Sequence, residues 1–359
     1  MINNADEKIG TREFFAIIWL TIGMKLTYTT PSLLYKVGNV AAWMIPFFYA
    51  ITIGIPFLVL LSLLKKHEKG LTELLTQLTG KYIGSFLSFV LFSIVFLEII
   101  LINRNYISIT NSYFYPETPV YILMILLLGS SLYIAKRGFS AISNGTWFIT
   151  PALLVILYTL IFLSWKELNW VRIFPVFGPG IGKLVMNSVT NSSIVGEIIL
   201  LTAFFPFVRS YKSFKIASFS GFGISLFSVA VFIIVYIMVF DYPSVLNMGY
   251  PHHELTRMVN IGIHINHIEG MFFIFWVIGS VFRFAILLYL AVVFLGASLC
   301  IKQFESLLIP VTGLILISSL LPENIFTMAL FRDIIIKTSS GVLIILPFIL
   351  WIIDKWKGR

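Results

Sequence analysis

The residues of this chain that could do chemistry are charged side chains inside long apolar runs. Lys25 lies in the apolar stretch 14–35, with Gly23 before it and Pro31 after it. A lysine near the bilayer centre is costly unless it is paired or faces water. Irregular backbone at that depth is tolerated only where protein or a water-filled cavity covers it. The stretch therefore predicts an interrupted first membrane span that lines an internal polar site.

A second interrupted span is predicted at 188–208, where small and polar residues surround Glu197. Interrupted helices at corresponding positions of two halves indicate a midplane site in inverted-repeat transporters. Their free backbone groups and half-helix dipoles suit a small zwitterion such as an amino acid. The predicted ligand-binding residues are Gly23, Met24, Lys25, Ser192, Ser193, Gly196, Glu197 and Phe204.

Lys25 and Glu197 carry complementary charges in the two interruptions. We expect them either to pair across the central cavity or to flank the carboxylate and the ammonium of a ligand. A structural ion pair that only neutralises two buried charges explains them equally well. The sequence leaves both readings open.

Two further charges inside predicted spans, Glu98 and Arg283, need partners. Since an unpaired buried charge is so costly, we expect a structural Glu98–Arg283 pair. Glu98 is alternatively a proton carrier, because low dielectric raises the pKa of a carboxyl group. Phe204 follows the second interruption and is either a gate of the cavity or ordinary packing.

The composition indicates an all-α polytopic membrane protein. The chain is 58% hydrophobic and 11% charged, with a mean hydropathy of +0.97, whereas soluble domains average about a quarter charged residues. The net charge of +9 falls between apolar runs and not on one polar face, which argues against nucleic acid. With one cysteine, and histidines such as His264 and His267 without a carboxylate cluster, we expect no metal site. No catalytic motif is present, so we expect neither an enzyme nor a cofactor.

The apolar runs predict ten spans. Fifteen Lys and Arg residues fall on the side of the termini and seven on the other, which predicts cytoplasmic termini by the positive-inside rule. The residues before 14 are mostly polar and mixed in charge, and the first apolar run lacks a small-residue cleavage site, so no removable signal peptide is expected. The segment 71–81 is too short to cross and is predicted to lie along the cytoplasmic face. The predicted spans are 12–36, 41–64, 82–108, 119–135, 141–164, 188–208, 214–240, 269–299, 306–321 and 336–353.

A set of short motifs is spread over nearly the whole chain: Gly23, Ala42-Trp43, Gly80-Lys81-x-x-Gly84, Thr118-Pro119, Gly138, Phe205-Pro206-Phe207, Tyr250-Pro251 to Arg257, Ile261-Gly262, Glu269, Trp276 and Tyr289. In the order and spacing of these motifs the sequence resembles the B subunits of bacterial spore germinant receptors, the spore germination permeases of the amino acid/polyamine/organocation transporter superfamily. The sequence departs from the family pattern at His267, where an arginine is usual, and at Lys25, where a small or apolar residue is usual.

The resemblance implies a single integral membrane domain with a LeuT-like 5+5 inverted repeat, about 12–164 and 188–353, whose helices 1 and 6 are broken. It implies a spore inner-membrane location and a small amino-acid-like germinant. It also implies two partners, a larger A subunit in the membrane and a lipoprotein C subunit. The expected function is germinant sensing; the alternatives are a proton- or sodium-coupled amino acid transporter and a ligand-gated water or ion conduit.

Overall fold

The computed structural model of the chain describes residues 8–259, 269–321 and 325–358, and in the last range it describes side chains from residue 330 onward. Within these residues the secondary structure is helical, apart from one isolated bridge between Ile9 and Val208. The α-helices of the first half are α1 Thr11–Ile22, α2 Thr30–Gly38, α3 Ile45–Thr52, α4 Gly54–His67, α5 Leu71–Thr79, α6 Lys81–Tyr113, α7 Val120–Ala135 and α8 Phe139–Leu163. Those of the second half are α9 Ile181–Thr190, α10 Glu197–Leu200, α11 Tyr211–Phe240, α12 Tyr242–Asn247, α13 Pro251–Met258, α14 Glu269–Ser298, α15 Leu308–Leu320 and α16 Ile325–Lys357.

These helices form the membrane bundle that the hydropathy pattern predicts. Among the described residues, six helical runs are long and apolar enough to cross a membrane, and three shorter apolar helices accompany them. The short helices belong to the fourth and ninth spans and to the second half of the sixth, which breaks before Glu197. The first span is likewise divided between α1 and α2. The chain is therefore an all-α integral membrane protein with broken first and sixth spans.

Two of the predicted spans differ most from the structure in their bounds. The sixth span begins earlier, at Ile181, and α16 extends beyond 336–353 at both ends. The extension of α16 carries charged residues, and Lys337 Nζ lies 2.7 Å from Asp333 Oδ2, one helical turn away. Since such pairs stabilise a helix, the polar stretch before the apolar run stays helical.

The two ends of the bundle differ in the segments that they bring together. At one end Arg209 Nε donates to the Lys8 carbonyl over 2.8 Å, and Lys66 Nζ lies 2.8 Å from Asp354 Oδ2. Lys8 and Glu68 border one surface depression there. We call this the basic end and the other the opposite end; that the basic end faces the cytoplasm stays a prediction.

Helix α5 lies across the basic end as the sequence predicts, with its leucines turned inward. Leu71, Leu74, Leu75 and Leu78 are buried, and α5 packs against α6. The contact depends on Gly84, because a Cβ at that position would lie 2.7 Å from the Cα of Thr76. The backbones of the two helices approach so closely that only glycine fits there.

The core of the bundle is the first half of the first span. Helix α1 packs against α8, α11 and α14, and Ile17, Ile18, Trp19 and Leu20 are at most 1% exposed. A helix that is apolar on every side is stable only when it is surrounded by protein or lipid. This central position carries the end of α1, and with it Lys25, into the middle of the molecule.

Candidate binding site at the two helix breaks

The first break begins where α1 ends at Ile22. Gly23–Thr27 continues as a 3₁₀ turn, Tyr28 has extended backbone, and α2 starts at Thr30 with Pro31 in its first turn. Proline favours the first helical turn because its missing N–H has no intrahelical partner there. The sequence therefore ends one helix and starts another around Lys25.

The second break begins after Thr190. Ser192–Val195 forms a 3₁₀ turn, and Gly196 leads into the single helical turn of α10. Ser193 fixes this break to α16, since its N–H donates to Ser340 Oγ over 2.9 Å and its hydroxyl donates to the Ile336 carbonyl over 2.7 Å. The last span thus positions the break in the sixth.

Lys25 joins the two breaks through a buried charge cluster. Its Nζ lies 3.1 Å from Glu98 Oε1, pairs with Glu197 Oε1, and donates to the Ile194 carbonyl over 2.5 Å. The side chains of Lys25, Glu98 and Glu197 are 9%, 19% and 1% exposed. Lys25 and Glu197 therefore form the pair that was one of the two sequence readings. Of the two carboxylates, Glu98 is the one with access to open space.

The expected Glu98–Arg283 pair is not present, because Glu98 pairs with Lys25 instead. Arg283 is 1% exposed and its guanidinium lies over the Tyr28 ring, 5.0 Å from the ring centroid. Its closest carboxylate contact is 4.0 Å, to Glu197 Oε1. The rotation of α6 turns Glu98 toward the first break, and Arg283 packs on the aromatic residue that follows that break.

A cavity opens beside this cluster toward α16. Its water-accessible volume is about 70 Å³, which is room for a few water molecules. That space suits an amino acid with a small side chain. The polar lining consists of Lys25, Tyr28, Thr29, Thr30, Glu98, Asn105, Ser193, Arg283, Arg332 and Ser339.

The structure brings some of the predicted site residues to the cavity and leaves others outside its lining. Gly23 rests on the Trp19 ring, and a Cβ at Gly196 would lie 2.5 Å from a Leu343 methyl group. Glu197 lies behind Lys25. The predicted residues that line the cavity are Lys25, Glu98, Ser193 and Arg283. The predicted residues outside the lining are Gly23, Met24, Ser192, Gly196, Glu197 and Phe204.

Phe204 is part of an aromatic cluster on the basic-end side of the breaks. Its ring centroid lies 4.7 Å from that of Phe139, 6.1 Å from Phe207 and 6.2 Å from Tyr289. Phe304 adds a further ring, 5.6 Å from Tyr289. Phe139, Phe207, Tyr289 and Phe304 of this cluster line the surface depression at the basic end, whereas Phe204 lines neither the depression nor the cavity.

Arg332 is a cavity residue that is not in the predicted set. It lies in α16, lines the cavity, and its guanidinium donates to the Thr29 hydroxyl beside the first break. Arg332 lies outside the apolar run 336–353, so the predicted spans leave it in a loop. The signal that was available is the Asp333–Lys337 spacing, which is typical of a helix that starts earlier.

On the opposite-end side, α13 covers the first break. His252 Nδ1 lies 3.0 Å from the Tyr236 hydroxyl, and that hydroxyl donates to the Leu26 carbonyl over 3.4 Å. His253 lies edge-on to Trp276 with ring centroids 4.8 Å apart, and burial lowers the pKa of His253 to about 3. Both histidines are thus part of a neutral, buried cover. Of the region that carried the resemblance, Ile261-Gly262 lies outside the described residues, as do His264 and the departure at His267.

The fold and this site define a class, the integral membrane proteins with a transporter fold whose first and sixth spans are broken. The crystal structure of MhsT in complex with L-phenylalanine shares the fold, with a TM-score of 0.68, 14% sequence identity and coverage of 95% of this chain and 89% of that one. A closed conformation of Mhp1, a nucleobase-cation-symport-1 family transporter, with bromovinylhydantoin bound, gives a TM-score of 0.62 at 14% identity, covering 94% and 78%. The predicted fold class is confirmed.

The sequence narrows this class to one family. Residues 8–327 match the family model Spore_permease, described as spore germination protein, and the chain belongs to this family. Spore germination protein XB of Bacillus anthracis is 23% identical over 211 residues, which cover 58% of this chain and 59% of that protein. The chain thus spans little more than half the length of this relative. The family resemblance seen in the sequence is confirmed.

Proposed function

We propose that this protein is the germinant-sensing membrane subunit of a spore germination receptor and binds a small amino-acid-like ligand in the central cavity. The observation that carries the proposal is the cavity itself, which is bordered by both helix breaks and by charged groups of both signs. A germinant that fits this space contacts Ser193 of the second break and Tyr28, Thr29 and Thr30 beside the first. Its binding therefore affects both broken spans.

The charges indicate how the ligand lies. Lys25, Arg283 and Arg332 contribute three positive charges against the two carboxylates Glu98 and Glu197. Lys25 is held by both carboxylates and Arg283 by the Tyr28 ring, whereas Arg332 contacts a neutral hydroxyl. Because guanidinium groups match carboxylates in a bidentate geometry, we place the ligand carboxylate at Arg332. The ammonium then lies toward Glu98, the more exposed carboxylate.

Signalling follows from a difference in affinity between two conformations of the bundle, since a ligand shifts an equilibrium only by that difference. The family supports receptor partners, and we propose a larger A subunit and a lipoprotein C subunit. We place the protein in the spore inner membrane with cytoplasmic termini. Division into repeats at about 12–164 and 188–353 belongs to the same proposal.

The binding test uses the purified full chain and three labelled probes, namely alanine, alaninamide and propionate. Saturable binding of alanine and much weaker binding of alaninamide are expected, because the amide lacks the carboxylate that Arg332 holds. Arg332→Gln should weaken alanine binding about tenfold to a hundredfold, since hydrogen bonds to charged groups contribute about 1.5–3 kcal/mol. The control is Lys337→Gln in the same helix, because Lys337 is 55% exposed and lies outside the cavity lining. Equal losses in the two variants would overturn the ligand orientation.

The transporter alternative is favoured by one observation, the partly exposed Glu98 inside a transporter fold. Uptake by liposomes with imposed proton and sodium gradients separates the two functions. Binding without accumulation supports the receptor, whereas gradient-driven accumulation that is lost in Glu98→Gln supports a coupled transporter.

A further inference from the structure

A second cavity lies apart from the central site, between α6, α7 and α14. Its water-accessible volume is about 390 Å³, and none of the residues that line it is charged. The inner wall is formed by Leu123, Leu127 and Val281. The wall hydroxyls of Thr110 and Ser130 donate to carbonyl groups of their own helices over 2.9 and 2.7 Å. The wall therefore presents apolar surface and offers water few partners.

The cavity opens onto the face of the bundle that meets lipid. Leu126 in its rim is 61% exposed, and Ile122, one helical turn away on α7, is 37% exposed. The bilayer core contains no water that could fill such a space. An apolar space left empty forfeits dispersion contacts along its lining. The molecule that fills the cavity must therefore come from the lipid that contacts its opening.

The polarity of the cavity changes with depth in the same way as the polarity of a lipid molecule. Tyr115 and Thr118 border it between the end of α6 and the start of α7, at the level where a span leaves the membrane. From Leu123 to Ser130 the wall descends about 10 Å along α7, at about 1.5 Å per residue. The cavity is thus polar where lipid headgroups lie and apolar toward the bilayer centre.

We propose that this cavity binds an acyl chain of a membrane phospholipid. The inner wall connects the chain to the first helix break. Tyr106 lines the cavity and stacks on Trp276, with ring centroids 4.4 Å apart and ring planes at 12°. Trp276 Nε1 donates to Thr27 Oγ1 over 3.0 Å. An acyl chain in the cavity therefore packs against Tyr106, and Tyr106 stacks on the Trp276 ring that is hydrogen-bonded to Thr27 at the first break.

The test uses the full chain in phosphatidylcholine vesicles that contain a phospholipid with a photoactivatable diazirine in one acyl chain. After illumination, peptide mass spectrometry should find crosslinks on α7 and α14 at the cavity wall. Val281→Phe fills the cavity and should lower this yield at least fivefold. Ile278→Phe is the matched control, because Ile278 is 37% exposed on the same helix and does not line the cavity. Leu126→Phe and its control Ile125→Phe repeat the comparison on α7 and serve if Val281→Phe fails to fold.

A second readout follows Trp276, which is 3% exposed and so has little contact with bulk lipid. The fluorescence of Trp276 is the part of the tryptophan emission that is lost in Trp276→Phe. Acyl chains brominated near their middle should quench this part of the emission, and Val281→Phe should remove the quenching. Equal crosslinking in the filled variants and their controls would overturn the proposal. So would displacement of the crosslinks by alanine, which would make the cavity a germinant site.

Discussion

Two charge clusters of similar composition lie at different depths in the part of the chain that the structure describes. Lys25, Glu98 and Glu197 meet between the helix breaks, where each side chain is less than one-fifth exposed. At the basic end Asp354 accepts from Lys66 over 2.8 Å and lies 2.8 Å from His67 Nε2, while the Lys66 side chain is 56% exposed. Bulk water replaces a lost partner in the second cluster, whereas in the first cluster Glu197 is 1% exposed and the small cavity reaches Lys25 and Glu98 but not Glu197. The depth of an ion pair in the bundle therefore determines how much it contributes to the free energy of unfolding.

The largest effect is expected from Lys25→Met. Removal of the cation leaves Glu98 without its ion-pair partner and leaves Glu197 with Arg283, which is 4.0 Å away. Breaking a buried pair in this way costs about 3–5 kcal/mol. We expect a large fall in the thermal melting temperature in detergent. The double variant Lys25→Met/Glu197→Gln should recover much of it, because one carboxylate charge is removed too. A double variant as unstable as the single one would show that Lys25 contributes packing and not charge.

A smaller effect is expected from the buried histidine at the opposite end. Burial holds the pKa of His253 at about 3 in the folded state, against about 6.5 in the unfolded chain. The unfolded chain therefore binds more protons between these values, so the stabilising contribution is complete above pH 6.5 and is lost as the pH falls below it. The loss is at most about 1.4 kcal/mol per pH unit.

The melting temperature, measured from pH 7 to pH 5, tests this expectation. It should fall more steeply for the wild type than for His253→Gln, which has no titrating ring at this position. Parallel profiles would mean that other groups, such as His252 beside it, account for the acid sensitivity.

Asp354→Asn should have a modest effect at the basic end. The substitution removes the charge that holds Lys66 and His67, but the mostly exposed Lys66 ammonium regains water. A loss of about 1 kcal/mol or less is expected, measured as a small fall in melting temperature that 0.5 M NaCl reduces. A loss as large as that of Lys25→Met would break the comparison, because depth would then not set the size of the effect.

The smallest effect is expected from Asp333→Asn on α16. The Asp333 and Lys337 side chains are 54% and 55% exposed, and i,i+4 pairs of this kind contribute at most about 0.5 kcal/mol. The melting temperature should hardly change. If alanine binding changes strongly, Asp333 influences Arg332 beside it, and the end of α16 is part of the site.

The fold was predictable from the sequence because its signals are local. Apolar runs mark the spans, and Gly23 with Pro31 and Ser192 with Gly196 mark the breaks within them. The leucine spacing of α5 shows which of its faces is buried. Each of these features depends on residues within one or two helical turns, so one sequence is sufficient.

The site was predictable only in part, because the ion-pair partner of each charged side chain depends on how distant helices are rotated relative to one another. Lys25 and Glu197 lie in the two breaks, and the predicted inverted repeat made their meeting one of the two expectations. Glu98 had two cations within reach, and nothing in its own segment shows which one α6 faces. Arg332 was not predicted for a different reason: its helix begins before the apolar run 336–353 from which the tenth span was predicted.

The isolated bridge near the N-terminus has a consequence for motion. Ile9 N–H donates to the Phe207 carbonyl over 2.9 Å, and Arg209 N–H donates to the Ile9 carbonyl over 3.0 Å. These bonds join the start of α1 to the end of the sixth span, so the two half-spans on the basic-end side of the breaks are fastened at their far ends. To swing apart they must break both bonds, at about 0.5–1.5 kcal/mol each. We therefore expect these two half-spans to move together as one unit and not separately.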